Sequence, residues 1–113
     1  MRKLYLAGPM TGLPDFNYPA FHEAALRLRA CGYEVESPAE PGQVDGWAWS
    51  DYMRRGLVQM LGCDAVAVLP GWHLSKGAFI EVTTADRVGL SVMSVGWWLA
   101  RPAIPDGQNE EVA

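Results

Sequence analysis

Asp64-Ala-Val-Ala-Val-Leu69-Pro-Gly-Trp72 sets five apolar residues in a row between an aspartate and a Pro-Gly turn. An apolar run this short, with no polar alternation, suits a strand covered on both faces, as in the middle of a parallel sheet. Its neighbours fit that reading. Upstream, Trp49, Tyr52, Met53, Gly56, Leu57, Met60 and Leu61 form a stripe at helical spacing, with position 56 on the apolar face. Downstream, a helix is expected from about Lys76 to Val88, closed by Gly89, and then a strand from Ser91 to Val95.

Toward the amino terminus, Lys3-Leu-Tyr-Leu-Ala7 reads as a first strand that stops at Gly8-Pro9. The stretch 9–17 is a loop of turn formers closed by Asn17 as an Asx helix cap. Tyr18, Phe21, Ala25 and Leu28 then mark a helix with Gly32 at its end, Tyr33 to Glu36 a short strand, and Ser37 to Gly46 a loop. Strand and helix alternate throughout. The expected fold is therefore a three-layer α/β sandwich, Rossmann-like or flavodoxin-like, with a mainly parallel sheet and right-handed crossovers. Residues 1–100 form one domain and 101–113 a loose tail. In such sheets ligands sit beyond the carboxyl ends of the strands, which points to the loops at 8–17 and 70–77.

Composition narrows the function classes. A chain of 113 residues, 50% hydrophobic, has apolar mass for one core and not for two domains. Nine basic against 13 acidic residues give a net charge of -4, the wrong balance for a nucleic acid polymer as partner. No stretch approaches the roughly 18 apolar residues of a membrane span, and Met1-Arg-Lys-Leu-Tyr-Leu-Ala-Gly-Pro turns before a signal-peptide core develops, so a cytoplasmic protein with no membrane partner is expected. Cys31 and Cys63 are too few for a disulfide scaffold and have no zinc-ligand spacing; both read as packed thiols. No metal site or dinucleotide fingerprint is present, so no cofactor is expected. Five Trp beside 12 Gly is an unusual pairing, since aromatics need covering and glycines permit close backbone approach.

The first loop, Gly8-Pro-Met-Thr-Gly12, has neither Walker nor GxGxxG spacing; it is a plain tight turn or a place where a ligand meets backbone N–H groups and Thr11. The second loop runs Leu69-Pro-Gly-Trp72-His-Leu-Ser75-Lys-Gly-Ala78 and leads to Glu81. Ser75 is placed to cap the helix start, where free N–H groups favour an anion. Glu81 shares a helix face with Ala78 and Ala85. It is either a solvated carboxylate or one directed into a pocket, where it can act as nucleophile or acid/base group. Trp72 and Trp47 or Trp49 could stack on a planar ring, or pack in core or interface. His22 and His73 lie outside any ligand spacing and carry no catalytic role.

With these pieces in order, the chain resembles the nucleoside 2-deoxyribosyltransferase superfamily, in particular its small phage and bacterial deoxyribosyltransferase-like branch. The resemblance rests on Tyr5-Leu-Ala-Gly-Pro-Met-Thr-Gly12, Asn17-Tyr-Pro-Ala-Phe21, Cys63-Asp-Ala-Val66, and Leu69-Pro-Gly-Trp72 leading to Ser75-Lys-Gly-Ala-Phe-Ile-Glu81. It implies an enzyme acting on the N-glycosidic bond of a nucleoside or nucleotide, by transfer to another base or by hydrolysis, with Glu81 as the nucleophile that forms a glycosyl ester. It further implies that Tyr5 lies beside Glu81, and that Gly8, Pro9, Met10, Thr11, Gly12, Gly71, Trp72, Ser75 and Gly77 frame the substrate, some of them holding the sugar or a 5′-phosphate. Relatives assemble as dimers or larger, so a homodimer or higher homo-oligomer is expected.

One position departs from the pattern. Relatives carry an aspartate on the second helix eight residues before the aspartate that opens the next strand; counting back from Asp64 gives Gly56. Glycine there is expected to leave a gap with no carboxylate. Asp51 lies five residues away, about 140° round the helix, and cannot substitute. A nucleotide-binding protein of the same fold without efficient chemistry is the competing expectation, and Gly56→Asp the variant expected to separate the two.

Overall fold

The computed structural model describes residues 2–103. Among these, β1 (Lys3–Ala7), β2 (Glu34–Glu36), β3 (Ala65–Val68) and β4 (Ser91–Ser94) form one sheet in the order β2-β1-β3-β4. Every pairing is parallel. Helices α1 (Tyr18–Ala30), α2 (Trp49–Leu61), α3 (Lys76–Arg87) and α4 (Val95–Leu99) flank it. The chain steps from β1 to β2 through α1, crosses back to β3 through α2, and continues to β4 through α3. Right-handed crossovers then place α1 on one face and α2 and α3 on the other, with the switch point between the carboxyl ends of β1 and β3.

The pleat divides the core into two layers. Leu4, Leu6, Ala65 and Ala67 pack with Phe21, Ala24, Ala25 and Leu28 of α1 and with Trp98 of α4. Tyr5, Ala7, Val66 and Val68 point the other way and meet Met60 of α2 and Ala85 of α3. All four residues of β3 are buried, as a central strand requires. Among the described residues no helix is long and apolar enough to cross a membrane.

Two local expectations are corrected. Asn17 does not cap α1: Asp15, Phe16 and Asn17 all take left-handed φ of 51°, 53° and 60°, and the Asn17 side chain instead donates from Nδ2 to the Pro9 carbonyl at 3.0 Å. The left-handed Asn17 backbone, φ 60° and ψ 16°, departs from the extended conformation of a capping residue, and Pro19 in the first turn removes one of the two N–H groups a cap accepts. Val95, read as strand, begins α4 instead. Ser94 accepts the Trp97 N–H at 3.0 Å and ends β4 one residue early. A five-residue helix is too short to leave a periodic signature.

Trp98 of that helix anchors the far end of the chain. It is buried, its Nε1 donates to the Val66 carbonyl at 3.1 Å, and it meets the Tyr33 ring edge-on at 5.8 Å. Trp98→Phe removes that donor and leaves a small void, at an expected cost of about 1–3 kcal/mol. Urea midpoints read it, and a shift below about 0.5 kcal/mol would refute this packing role. Within the expected tail, the Arg101 carbonyl accepts from the Tyr33 hydroxyl and the Ala103 carbonyl packs on Gly32; positions 104–113 lie outside the described residues.

Candidate functional site

A cavity of about 400 Å³ opens at the switch point, within the ~300–1,000 Å³ range of small-molecule sites. The β1–α1 loop supplies Gly8, Met10, Thr11, Phe16 and, at the helix start, Tyr18. Pro38 and Gln43 come from the β2–α2 loop, and α2 gives Trp49, Tyr52, Met53 and Gly56 from its apolar stripe with Arg55 beside it. The fourth wall is the first two turns of α3: Ser75, Gly77, Ala78 and Glu81. Four aromatic rings and two methionines make it a slot suited to a planar ligand.

Glu81 lies at its floor. The helical spacing that groups it with Ala78 and Ala85 turns all three inward, and Glu81 is 7% exposed. The Tyr5 hydroxyl, directed into the same layer from the middle of β1, donates to Glu81 Oε2 at 2.6 Å. Burial pushes the Glu81 carboxyl up to about 7, against which the Tyr5 hydrogen bond works. Burial, then the neighbouring Glu81 charge, raises the Tyr5 hydroxyl well above its usual range, with Arg55 opposing. The pair is therefore a desolvated acid whose ionised form is costly and, once formed, reactive.

A pH signature follows. Between the ordinary 4.5 and about 7 the folded protein keeps a proton on Glu81 that the unfolded chain releases. Stability contributed by this group is present below that window and is lost as pH rises through it, by about 3 kcal/mol in total. Denaturation midpoints across the window should fall in the parent and stay flat in Glu81→Gln; parallel profiles would rule Glu81 out as the source.

Position 56 is where the structure departs most from the sequence. No gap exists there. A Cβ on Gly56 would lie 2.6 Å from Glu81 Oε2 and 2.8 Å from the Tyr5 hydroxyl, so the carboxyl–phenol pair occupies the space that a side chain would need. Asp51 is engaged at the start of α2, accepting the Ala48 N–H at 2.8 Å and pairing with Arg54 at 2.6 Å. Gly77 serves the same close approach from the other side, with Met53 Sδ 3.0 Å and Trp49 Cζ2 3.6 Å from where its Cβ would stand.

Of the residues expected from sequence, Gly8, Met10, Thr11, Ser75, Gly77 and Glu81 meet in this cavity, with Tyr5 beneath. Gly8 is also the point where β1 passes Leu69, whose Cβ lies 2.8 Å from the missing one. Ser75 caps α3, accepting the Ala78 N–H at 3.3 Å. Pro9 and Gly71 stand apart, along an adjoining depression with Thr11, Leu13, Trp49, Leu74, Ser75, Lys76 and Gly77. Gly12 is exposed with open space around it. Trp72 does not line the cavity. Gly71, at a φ of 83°, starts a turn that stacks Trp72 on Phe79 with centroids 6.5 Å apart, and Trp72 borders a groove of about 750 Å³ that reaches α1 and α4. Trp49 takes the place beside the site, with Lys76 Nζ 4.8 Å from its ring centroid. Phe16, Tyr18, Gln43, Tyr52 and Arg55 were not expected. Tyr52 sits on the readable α2 stripe, whereas Gln43 and Arg55 carry no periodic signal.

In fold the chain is similar to the 2-deoxyribosyltransferase of the psychrotolerant bacterium Bacillus psychrosaccharolyticus, with a TM-score of 0.66 and 22% identity over 81% of this chain and 70% of that one. It is similar also to the 2-deoxyribosyltransferase of Leishmania mexicana, with a TM-score of 0.64 and 14% identity over 83% of this chain and 63% of that one. These likenesses show an α/β architecture shared with deoxyribosyltransferases. No curated protein matches the chain. Residues 2–94, which take in every strand, both site loops and the Ser75–Glu81 segment, match the family described as Domain of unknown function (DUF4406), and the chain belongs to that family.

Proposed function

We propose that the protein acts on the N-glycosidic bond of a nucleoside or nucleotide, as a deoxyribosyltransferase-like transferase or an N-glycoside hydrolase, with Glu81 as nucleophile. The observation that carries this reading is the buried Glu81 carboxyl, held by Tyr5 at 2.6 Å on the floor of an aromatic-walled cavity. A carboxylate in that position meets the anomeric carbon from one face as the base departs from the other, through an oxocarbenium-like transition state, and the resulting glycosyl ester passes to water or a second base. Tyr5 fixes which carboxyl oxygen is free to attack. Thr11, Ser75 and the first N–H groups of α3 would hold sugar hydroxyls or a 5′-phosphate. No step uses a metal or an organic cofactor. The likeness in fold to deoxyribosyltransferases supports the reading.

The test is a panel of 2′-deoxynucleosides and their 5′-monophosphates, with and without an acceptor base, followed by chromatography of the released base and mass spectrometry of the Glu81 peptide. Free or exchanged base and a glycosyl adduct on Glu81 are expected. Absence of both across the panel would overturn the assignment. Because only ionised Glu81 attacks, kcat/KM should fall about tenfold per pH unit below about 7.

Gly56 favours a second reading, a nucleotide-binding protein without turnover. Tight binding of a panel member with no base release would select it. The apolar side chains exposed near the cavity mouth, Leu13, Phe16, Trp49 and Leu74, favour closure by a second copy of the chain. Light scattering checks this, and a monodisperse monomer at working concentration would remove it.

A further inference from the structure

Among the described residues the cavity lining holds one cation and one carboxyl group. Arg55, next to Gly56 on α2, lines the wall shared with Gln43, Trp49 and Tyr52. Its guanidinium is fixed on several sides: Nη2 donates to the Gly42 carbonyl at 2.6 Å, and Cζ lies 4.9 Å from the Trp47 ring centroid and 5.4 Å from that of Tyr52. Tyr52 is itself fixed, its hydroxyl donating to the Val44 carbonyl at 3.0 Å and accepting the Val44 N–H at 2.9 Å. Among the described residues no carboxylate pairs with Arg55. A guanidinium has five N–H donors, and among the described residues one of these is spent, on the Gly42 carbonyl. Held this way on a residue of the cavity lining, it is a charge without a carboxylate partner.

Breaking a C1′–N bond sends the bonding pair to the ring nitrogen, where it must be met by a proton or by a fixed positive charge. Acids are scarce here. Among the described lining residues Glu81 is the single carboxyl group and is committed to the anomeric carbon; the Tyr5 hydroxyl is committed to Glu81 and that of Tyr52 to Val44, which leaves Tyr18 as the one other phenol. The helix position facing Glu81 has no side chain at all.

We propose that Arg55 is the counter-ion for a heteroaromatic ring bound as its anion. In the glycosidic reading, on which this part rests, the substrates are then glycosides of oxopurines and oxopyrimidines, rings that leave readily as anions, ahead of those of adenine and cytosine. A Glu81 oxygen bonds to C1′ as the C1′–N bond breaks, and the electron pair stays on the ring beside Arg55. Water then cleaves the ester, giving the sugar hydroxyl, the free carboxylate and the proton that the ring anion takes up on release.

Ring binding is tested apart from turnover, in a Glu81→Gln background that removes the other cavity charge. Xanthine, at a pH where it is a monoanion, and neutral adenine are titrated against tryptophan fluorescence. Xanthine should bind about tenfold or more tighter. Arg55→Met should erase the preference and Arg55→Lys keep part of it, with circular dichroism confirming the fold of each. Equal binding in the parent, a preference that survives Arg55→Met, or one removed instead by Tyr18→Phe would overturn the proposal. With Glu81 intact, 2′-deoxyinosine and its 5′-monophosphate should lose base faster than the 2′-deoxyadenosine pair, and Arg55→Met should level the two. If no glycoside is cleaved while the xanthine preference holds and depends on Arg55, the glycosidic reading fails and the anion site stands.

Discussion

Glu81→Gln should lower base release or exchange by at least about 10³-fold while leaving a folded protein. Glutamine matches the carboxyl group in shape and still accepts the Tyr5 hydroxyl through its carbonyl oxygen, so the contact seen at 2.6 Å is kept and only the nucleophile is lost. Stability separates the two effects. Above pH 7 the parent holds an ionised carboxylate against the cost of burial, and the amide carries no such charge, so the variant should be the more stable of the two there. A dead variant that is also less stable at that pH would point to a structural role for Glu81. A folded variant that releases base at the parental rate would show that the nucleophile lies elsewhere.

The second large effect is expected at Gly56. From sequence alone Gly56→Asp separates two readings, a gain of hydrolysis marking a weakened catalytic site and no gain with tight binding marking a binding protein. The geometry points to a loss instead. Any Cβ at this position lies under 3 Å from both Glu81 Oε2 and the Tyr5 hydroxyl, and the Glu81 carboxyl can yield only by swinging into the cavity, away from Tyr5. Gly56→Ala should therefore part the pair or push α2 away from α3, at about 1–3 kcal/mol of stability and a loss of at least about tenfold in kcat/KM. Aspartate adds a like charge against Glu81, raises its carboxyl further and keeps it protonated at neutral pH, so the loss should be greater still. A gain of hydrolysis in Gly56→Asp would mean that the cavity reorganises around two carboxylates, and would identify the present site as a catalytically weakened one.

Much of the scaffold is legible without coordinates because each signal is local. The Ala65–Leu69 run marks a strand buried on both faces; the Trp49–Leu61 stripe fixes which side of α2 turns inward, Gly56 included; Ser75 ahead of Gly77 and Ala78 marks where α3 starts, and its spacing groups Glu81 with Ala78 and Ala85 but leaves open whether that carboxylate is solvated. What failed locally did so for a nearby cause the pattern does not encode, such as the missing N–H of Pro19 beneath Asn17.

The site itself is only half written in the chain. Sequence determined that the loops at 8–17 and 70–77 leave from the same edge of the sheet, because period and connection handedness settle that question one element at a time, whereas the place of Tyr5 beside Glu81 came from the resemblance alone. Tertiary structure decided what no single element contains. The separation of α2 from α3 puts the carboxyl–phenol pair where a side chain at 56 would stand, the turn at Gly71 exchanges Trp72 for Trp49 at the cavity, and the folding of the 37–48 loop over Tyr52 clamps Arg55. Those distances are set by how three packed layers share volume, and a pattern read along one chain carries directions but not the spaces between them.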